Sequence, residues 1–363
     1  MKKIQRIDYL YEALRVVLGI LIAYALCLVI IVLLTGVDGW KDALYNFAVG
    51  PFTTTRRFAQ VLSRMAPYML VGCGMCFVYA SGRFSVISEG IINIAPVPII
   101  LVMFNTSFGL NIMPGLPKIV NQLILIVTCG ATGAVIAMIP AYGREKLGAS
   151  ETVTSIVLNS VCVYIALALI RNFAADRTQS FIATPNYPAS IRFARYFGNT
   201  NLSEGIWVAV IGVIIACVIF YRTKLGAEIR ITGANPTFAK YAGINTSITP
   251  FMGQVLGGIF AGVAGAVENF GAYNQYQMTM LTNIGMDGLI IAVMAKKHPI
   301  FVPITAFVLA YIRTAASVLN TNTKIPIELV TMLQAVIIFF VAAEEFLGKS
   351  RQRAIIKASR AEA

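Results

Sequence analysis

The ionisable residues that interrupt apolar sequence are Glu89, Glu268, Asp287, Arg313 and Glu328. A charge is costly in hydrocarbon, so each is a candidate for a solute path or for a structural ion pair. Glu89 and Asp287 share a setting. Ser85-Val-Ile-Ser-Glu-Gly-Ile-Ile92 matches Asn283-Ile-Gly-Met-Asp-Gly-Leu-Ile290 in an acid, a glycine and two aliphatics. The amides of Asn93, Asn159 and Asn283 lie near these two motifs and can hydrogen-bond either a polar solute or a neighbouring helix. Glu89, Asn93, Asn159, Asn283, Asp287 and Arg313 are therefore the candidate translocation path.

Other chemistries fail for want of residues. The one histidine, His298, excludes a histidine-pair metal site. Cys73-Gly-Met-Cys76 has a redox or metal-ligand spacing but no second pair. All six cysteines (Cys27, Cys73, Cys76, Cys129, Cys162, Cys217) lie in apolar stretches. They read as packing thiols, with no disulfide and no metal expected. Gly148-Ala-Ser150 is hydrolase-like, yet His298 is far along the chain in an expected cytoplasmic loop. Gly348-Lys349-Ser350 resembles the end of a phosphate loop, but Ala343 stands where the pattern requires glycine and an apolar span precedes it. No catalytic site and no bound cofactor are expected, so the chain is not read as an enzyme.

The elements that hold these residues follow from composition. Hydrophobic residues make up 58% of the chain and charged residues 12%, against roughly 25% charged in a soluble domain. Lipid is the solvent that tolerates such a surface, and helices rather than open sheet must cross it. Apolar runs predict ten spans, near 14–35, 65–81, 86–104, 119–139, 152–170, 205–221, 249–267, 284–295, 299–318 and 327–346. The first is read as a retained span, because no small-residue cleavage signature follows the basic segment Met1–Arg15.

The net charge of +13 reports orientation, not nucleic-acid binding. With ten spans, most of the 29 Lys and Arg fall on one side, which becomes the cytoplasmic one. The expectation is a multi-pass protein of the bacterial cytoplasmic (inner) membrane with both termini cytoplasmic. The two acid–glycine motifs then cross in opposite directions, and Pro67-Tyr-Met pairs with Pro250-Phe-Met upstream of them. That is an inverted-topology repeat, with halves near 60–170 and 249–346 in one transmembrane domain of 1–363.

The polar segment 222–248 carries the other signal. Asn235 suits an N-cap, Pro236 the first helical position, and Gly243 a left-handed stop. Between them lie one to two turns bearing Phe238, Lys240 and Tyr241. So short a helix needs bracing in water, either by the headgroup region or by a partner's groove.

This stretch, with its Thr223-x-x-Gly226-x-x-x-Arg230 lead, resembles the coupling-helix loop of ribose-type and nucleoside-type ATP-binding-cassette (ABC) permeases. That superfamily handles branched-chain amino acids and simple sugars. Glu89-Gly90, the segment Ser150-Glu151 to Leu158-Asn159, Gly285-Met-Asp287-Gly288 and Ile259-Phe-Ala-Gly262-Val-Ala-Gly265-Ala-Val-Glu268 agree in order, over about 60–345. The nucleoside-type members are nearest. Departures are Val86-Ile87-Ser88 where those members usually show Asn-Ile-Gly, and Ser150 where an Asn is common. Both fall where substrate selection could be set.

The resemblance implies an all-α, type II importer-like permease that carries nucleosides or simple sugars. It implies a separate ABC ATPase subunit that holds the ATP and docks on Asn235, Pro236, Phe238, Lys240, Tyr241 and Gly243. A homologous second permease subunit and an extracytoplasmic substrate-binding lipoprotein complete the implied assembly. An ion-coupled secondary transporter of a small polar solute is the alternative, since it shares inverted repeats and buried acids.

Overall fold

A computed structural model describes residues 45–104, 117–179, 181–196 and 200–322. The expected spans 14–35 and 327–346 lie outside these residues, as do Cys27, Glu328 and the Gly348-Lys349-Ser350 tail. Eleven helices are followed here: α1 (Thr55–Ala80), α2 (Ser88–Ile94), α3 (Val97–Phe104), α4 (Lys118–Leu147), α5 (Glu151–Phe173), α6 (Gly205–Arg222), α7 (Lys224–Ala234), α8 (Pro236–Tyr241), α9 (Ile248–Val267), α10 (Ile284–Met294) and α11 (Val302–Asn322). A π-helical stretch, Glu268–Ala272, continues α9. Among the described residues no strand forms beyond the isolated bridge Arg195–Ser203.

Helix occupies each of the eight expected spans within these residues, and six are long and apolar enough to cross a membrane. Two departures have local causes. The stretch 86–104 is two short helices, because Pro96 has no N–H to continue the ladder and a turn forms at Ala95-Pro96. α1 starts at Thr55 instead of 65: Thr54 Oγ1 accepts the Arg57 N–H at 3.3 Å and caps a polar first turn that hydropathy does not register.

Residues 45–57 and 311–322 belong to one compact unit and 58–310 to another. In the first, the Phe52 and Tyr311 rings lie 5.3 Å apart and Arg57 Nη2 donates to Asn322 Oδ1 at 3.1 Å. In the second, α4 and α9 approach through small residues. A Cβ on Gly133 would stand 2.2 Å from the Gly258 carbonyl oxygen. Such contacts are how helices associate where lipid removes the hydrophobic drive between them. Cys73 and Cys76 on α1, Cys129 on α4 and Cys162 on α5 are buried.

α5 and α6 behave differently, with 33% of the apolar window buried in each. Val157, Tyr164, Trp207 and Ile214 face outward. An apolar outer face of that extent matches a lipid environment.

Candidate translocation path and coupling site

The two acid–glycine motifs open two short helices, α2 and α10, and these meet at their first turns. Glu89 is 1% exposed. Its Oε1 accepts from the Asn283 N–H at 2.5 Å and Thr282 Oγ1 at 3.1 Å. Its Oε2 accepts from the N–H groups of Gly285 at 2.6 Å and Met286 at 3.3 Å. A helix start leaves N–H groups without intrahelical partners and carries partial positive charge. The Glu89 carboxylate answers both needs for α10. Gly285 makes the approach possible, since a Cβ there would lie 2.5 Å from the Glu89 nitrogen.

The rest of the expected path divides. Asn159, on α5, clamps the entry to α2: Oδ1 accepts the Gly90 N–H at 2.8 Å and Nδ2 donates to the Val86 carbonyl at 3.0 Å. Asn93 Nδ2 donates back to the Glu89 carbonyl at 3.0 Å, while its buried Oδ1 has no hydrogen-bond partner among the described residues. Asn283 takes a left-handed conformation, φ 62°, at the start of α10. Asp287 is 2% exposed and accepts from the Tyr68 hydroxyl at 2.5 Å. Glu89, Asn93, Asn159, Asn283 and Asp287 thus gather around one helix junction. Arg313 lies half-buried on α11, in the other unit.

The coupling segment is built as two small helices in series. Thr223 Oγ1 accepts the Gly226 N–H at 3.2 Å and caps α7. Gly226 lets α7 fold back on α6, because a Cβ would stand 2.2 Å from the Ile219 carbonyl oxygen. Arg230 then lies over the Phe220 and Tyr221 rings, 5.2 and 5.5 Å from their centroids. The Thr-x-x-Gly-x-x-x-Arg spacing is therefore a cap, a close approach and a cation–π contact in turn.

α8 follows at once. Asn235 Oδ1 accepts the Phe238 N–H at 3.0 Å, Pro236 occupies the first helical position, and Gly243 stops the helix at φ 77°. Ala239 is its buried residue. Phe238 is 60% and Tyr241 88% exposed, and Lys240 is exposed beside them.

An ion cluster beside this segment escaped the reading of the sequence. Arg83 pairs with Glu145, which also accepts from the Ser247 hydroxyl just before α9. Glu151 Oε2 lies 3.6 Å from Arg83 Nη1 and 3.7 Å from Arg144 Nη1. Burial pulls the Arg83 guanidinium below its ordinary pKa, and the Glu151 carboxylate opposes that shift. The cluster joins the α1–α2 connection, the last turn of α4 and the first turn of α5 to the end of the coupling segment. Its only trace in the sequence was Glu151 in a quoted motif and the charged run Arg144-Glu145-Lys146.

Comparison with known proteins follows the same lines. Nucleoside ABC transporter permease protein NupB of Lactococcus lactis is 28% identical, the match covering 89% of this chain and 88% of that one. Guanosine ABC transporter permease protein NupP of Bacillus subtilis is 24% identical over 83% and 84%. Glucose ABC transporter permease protein TsgB13 of Haloferax volcanii is 26% identical over 85% and 82%. The model of the family described as "Branched-chain amino acid transport system / permease component" matches residues 57–342. The match includes both acid–glycine motifs, the capped helix α8 and the small-residue face of α9, and the chain belongs to that family.

Proposed function

We propose that this chain is the membrane-spanning permease subunit of an ABC importer, and that it forms the path for nucleosides or simple sugars. The carrying observation is α8: a helix too short to stand alone, held by Asn235, Pro236 and Gly243, that presents Phe238 and Tyr241 outward. Aromatic residues often dominate interfaces, and an ATPase subunit that binds and hydrolyses ATP is the partner that suits this one. A homologous second permease subunit would complete the path, and an extracytoplasmic substrate-binding lipoprotein would deliver the solute. This chain supplies no catalysis.

The finer architecture belongs to the same reading. In it the chain would cross a bacterial inner membrane ten times, with both termini in the cytoplasm. The inverted repeat is supported by α2 and α10, two short helices that meet by their N-terminal turns and carry the matched motifs. Small movements of α7 and α8 would reach that junction through the Arg83–Glu145–Ser247 contacts. The solutes in the relatives' names share a hydroxylated sugar unit, which fits the proposed substrate class.

Uptake in whole cells tests the proposal. Labelled nucleoside or sugar should enter when an uncoupler has collapsed the ion gradients and ATP is maintained. Uptake that stops with the gradients at constant ATP would make the chain an ion-coupled secondary transporter.

A further inference from the structure

The ends of α1 and α9 that lie away from α7 and α8 hold polar groups not used by the crossing or by the coupling segment. Ala80 abuts α7 at Gly233, where a Cβ would stand 1.9 Å from the Ala80 carbonyl oxygen. Arg64 is about 24 Å back along α1 from that contact, and Glu268 about 30 Å along from Ile248, at helical rise. A cavity of about 160 Å³ lies between them, lined by Gln60, Ser63, Arg64, Asn201, Glu268 and Tyr273. Ser63 Oγ donates to the Asn201 carbonyl at 2.9 Å.

Among the described residues, no protein group hydrogen-bonds or ion-pairs with the side chains of Gln60, Arg64 or Glu268. Arg64 and Glu268 both line the cavity, yet no ion pair joins them. A direct bridge would offset the cost of holding both charges in membrane-spanning helices. The backbone presents both to the cavity unbridged instead. It is π-helical at Glu268–Ala272, a form that recurs at functional sites.

We propose that this cavity binds the hydroxylated ring of the transported solute. A carboxylate offers only acceptors and a guanidinium only donors. A ring with adjacent hydroxyls supplies the complement of both in one rigid unit, donating to Glu268 and accepting from Arg64. Gln60 adds an amide, and Tyr273 an aromatic wall. The opposite charges suit a neutral solute. The volume is below the roughly 300 Å³ at which sites for drug-sized ligands begin, so the cavity takes the sugar ring and leaves an attached base outside it. This inference rests on the nucleoside-or-sugar reading.

The test uses the assembled permease–ATPase complex in lipid nanodiscs without the binding protein, so that binding to the membrane subunits is read directly. Labelled uridine should bind. Unlabelled ribose should compete, and 2′,3′-dideoxyuridine should compete on the order of 100-fold less well than uridine, because the site is built around hydroxyls. Glu268→Gln and Arg64→Gln should each weaken uridine binding about tenfold or more and narrow that discrimination, with the ATPase still copurifying. Gln60→Leu, which leaves both charges in place, should weaken binding less and guards against variants that fail to assemble.

Equal competition by the dideoxy analogue, wild-type binding retained in Gln60→Leu and whichever charge variants assemble, or no binding to the wild type would each overturn the site. Cells expressing the wild type that import neither nucleosides nor sugars would overturn the functional reading, and the solute assignment with it. Import without the binding pattern above would overturn the site alone.

Discussion

The crossing of α2 and α10 and the short helix α8 are both first turns shaped by caps, yet they are finished in opposite ways. At the crossing, the Glu89 carboxylate takes four donors and a glycine removes the atom that would block it. At α8, Asn235 takes one donor, and Phe238 and Tyr241 are left facing outward. In the first region the Glu89 carboxylate finds all its partners within the chain. The second leaves its aromatic side chains exposed, which the proposed docking would cover. Buried polarity that is fully paired fixes a geometry, whereas exposed aromatic side chains on a braced helix mark a surface meant for a partner.

The largest expected effect tests the completeness of the crossing. Glu89→Ala strands the N–H groups of Asn283, Gly285 and Met286, and each buried donor left unpaired costs about 1–3 kcal/mol. The purified protein should melt far below wild type, with Glu89→Gln between the two. A wild-type melting temperature for Glu89→Ala would mean that the carboxylate does not hold the junction. Next, Asp287→Ala should cut uptake about tenfold or more at equal expression, the size of effect expected when a charged hydrogen bond of about 1.5–3 kcal/mol is lost. Glu328→Ala, outside the repeated motif, should cut it less. Equal uptake for Asp287→Ala and wild type would take the motif off the transport path.

These two regions were not equally legible in the sequence. The capped helix could be read almost residue by residue, because Asn235, Pro236 and Gly243 act on their own neighbours. The eight spans within the described residues were legible as helix because lipid demands apolar helices, although Pro96 split one and the polar turn at Thr55 moved the start of another. The motifs at Glu89 and Asp287 were visible as a repeat, but the roles of their members were not. Glu89 caps a helix nearly two hundred residues away, and local spacing carries no trace of such a partner. The Arg83–Glu145–Glu151 cluster was missed for the same reason, its charges being scattered over the α1–α2 connection and the facing ends of α4 and α5.

The smallest effect lies at the far end of α10. His298, just past α10, is 3.0 Å from the Tyr221 hydroxyl. Burial lowers its pKa from the usual 6.5, and Arg230 and Lys296 lower it further. A folded-state pKa below the unfolded one gives stability that is present above the unfolded pKa and lost as pH falls through the folded value. The wild-type melting temperature should therefore decline on acidification below about pH 6.5 slightly more steeply than that of His298→Asn. Parallel pH profiles would show that the His298 contact contributes nothing there.

The central claim is that α8 is the lever of a separate ATPase, and copurification of that ATPase measured beside uptake in the same membranes tests it most directly. Phe238→Asp with Tyr241→Asp should leave expression and membrane insertion intact, since both side chains face outward from a helix that lies outside the spans. ATPase copurification and uptake should fall together, by a docking loss of about 2 kcal/mol or more. A double variant that keeps both at wild-type levels would contradict the claim.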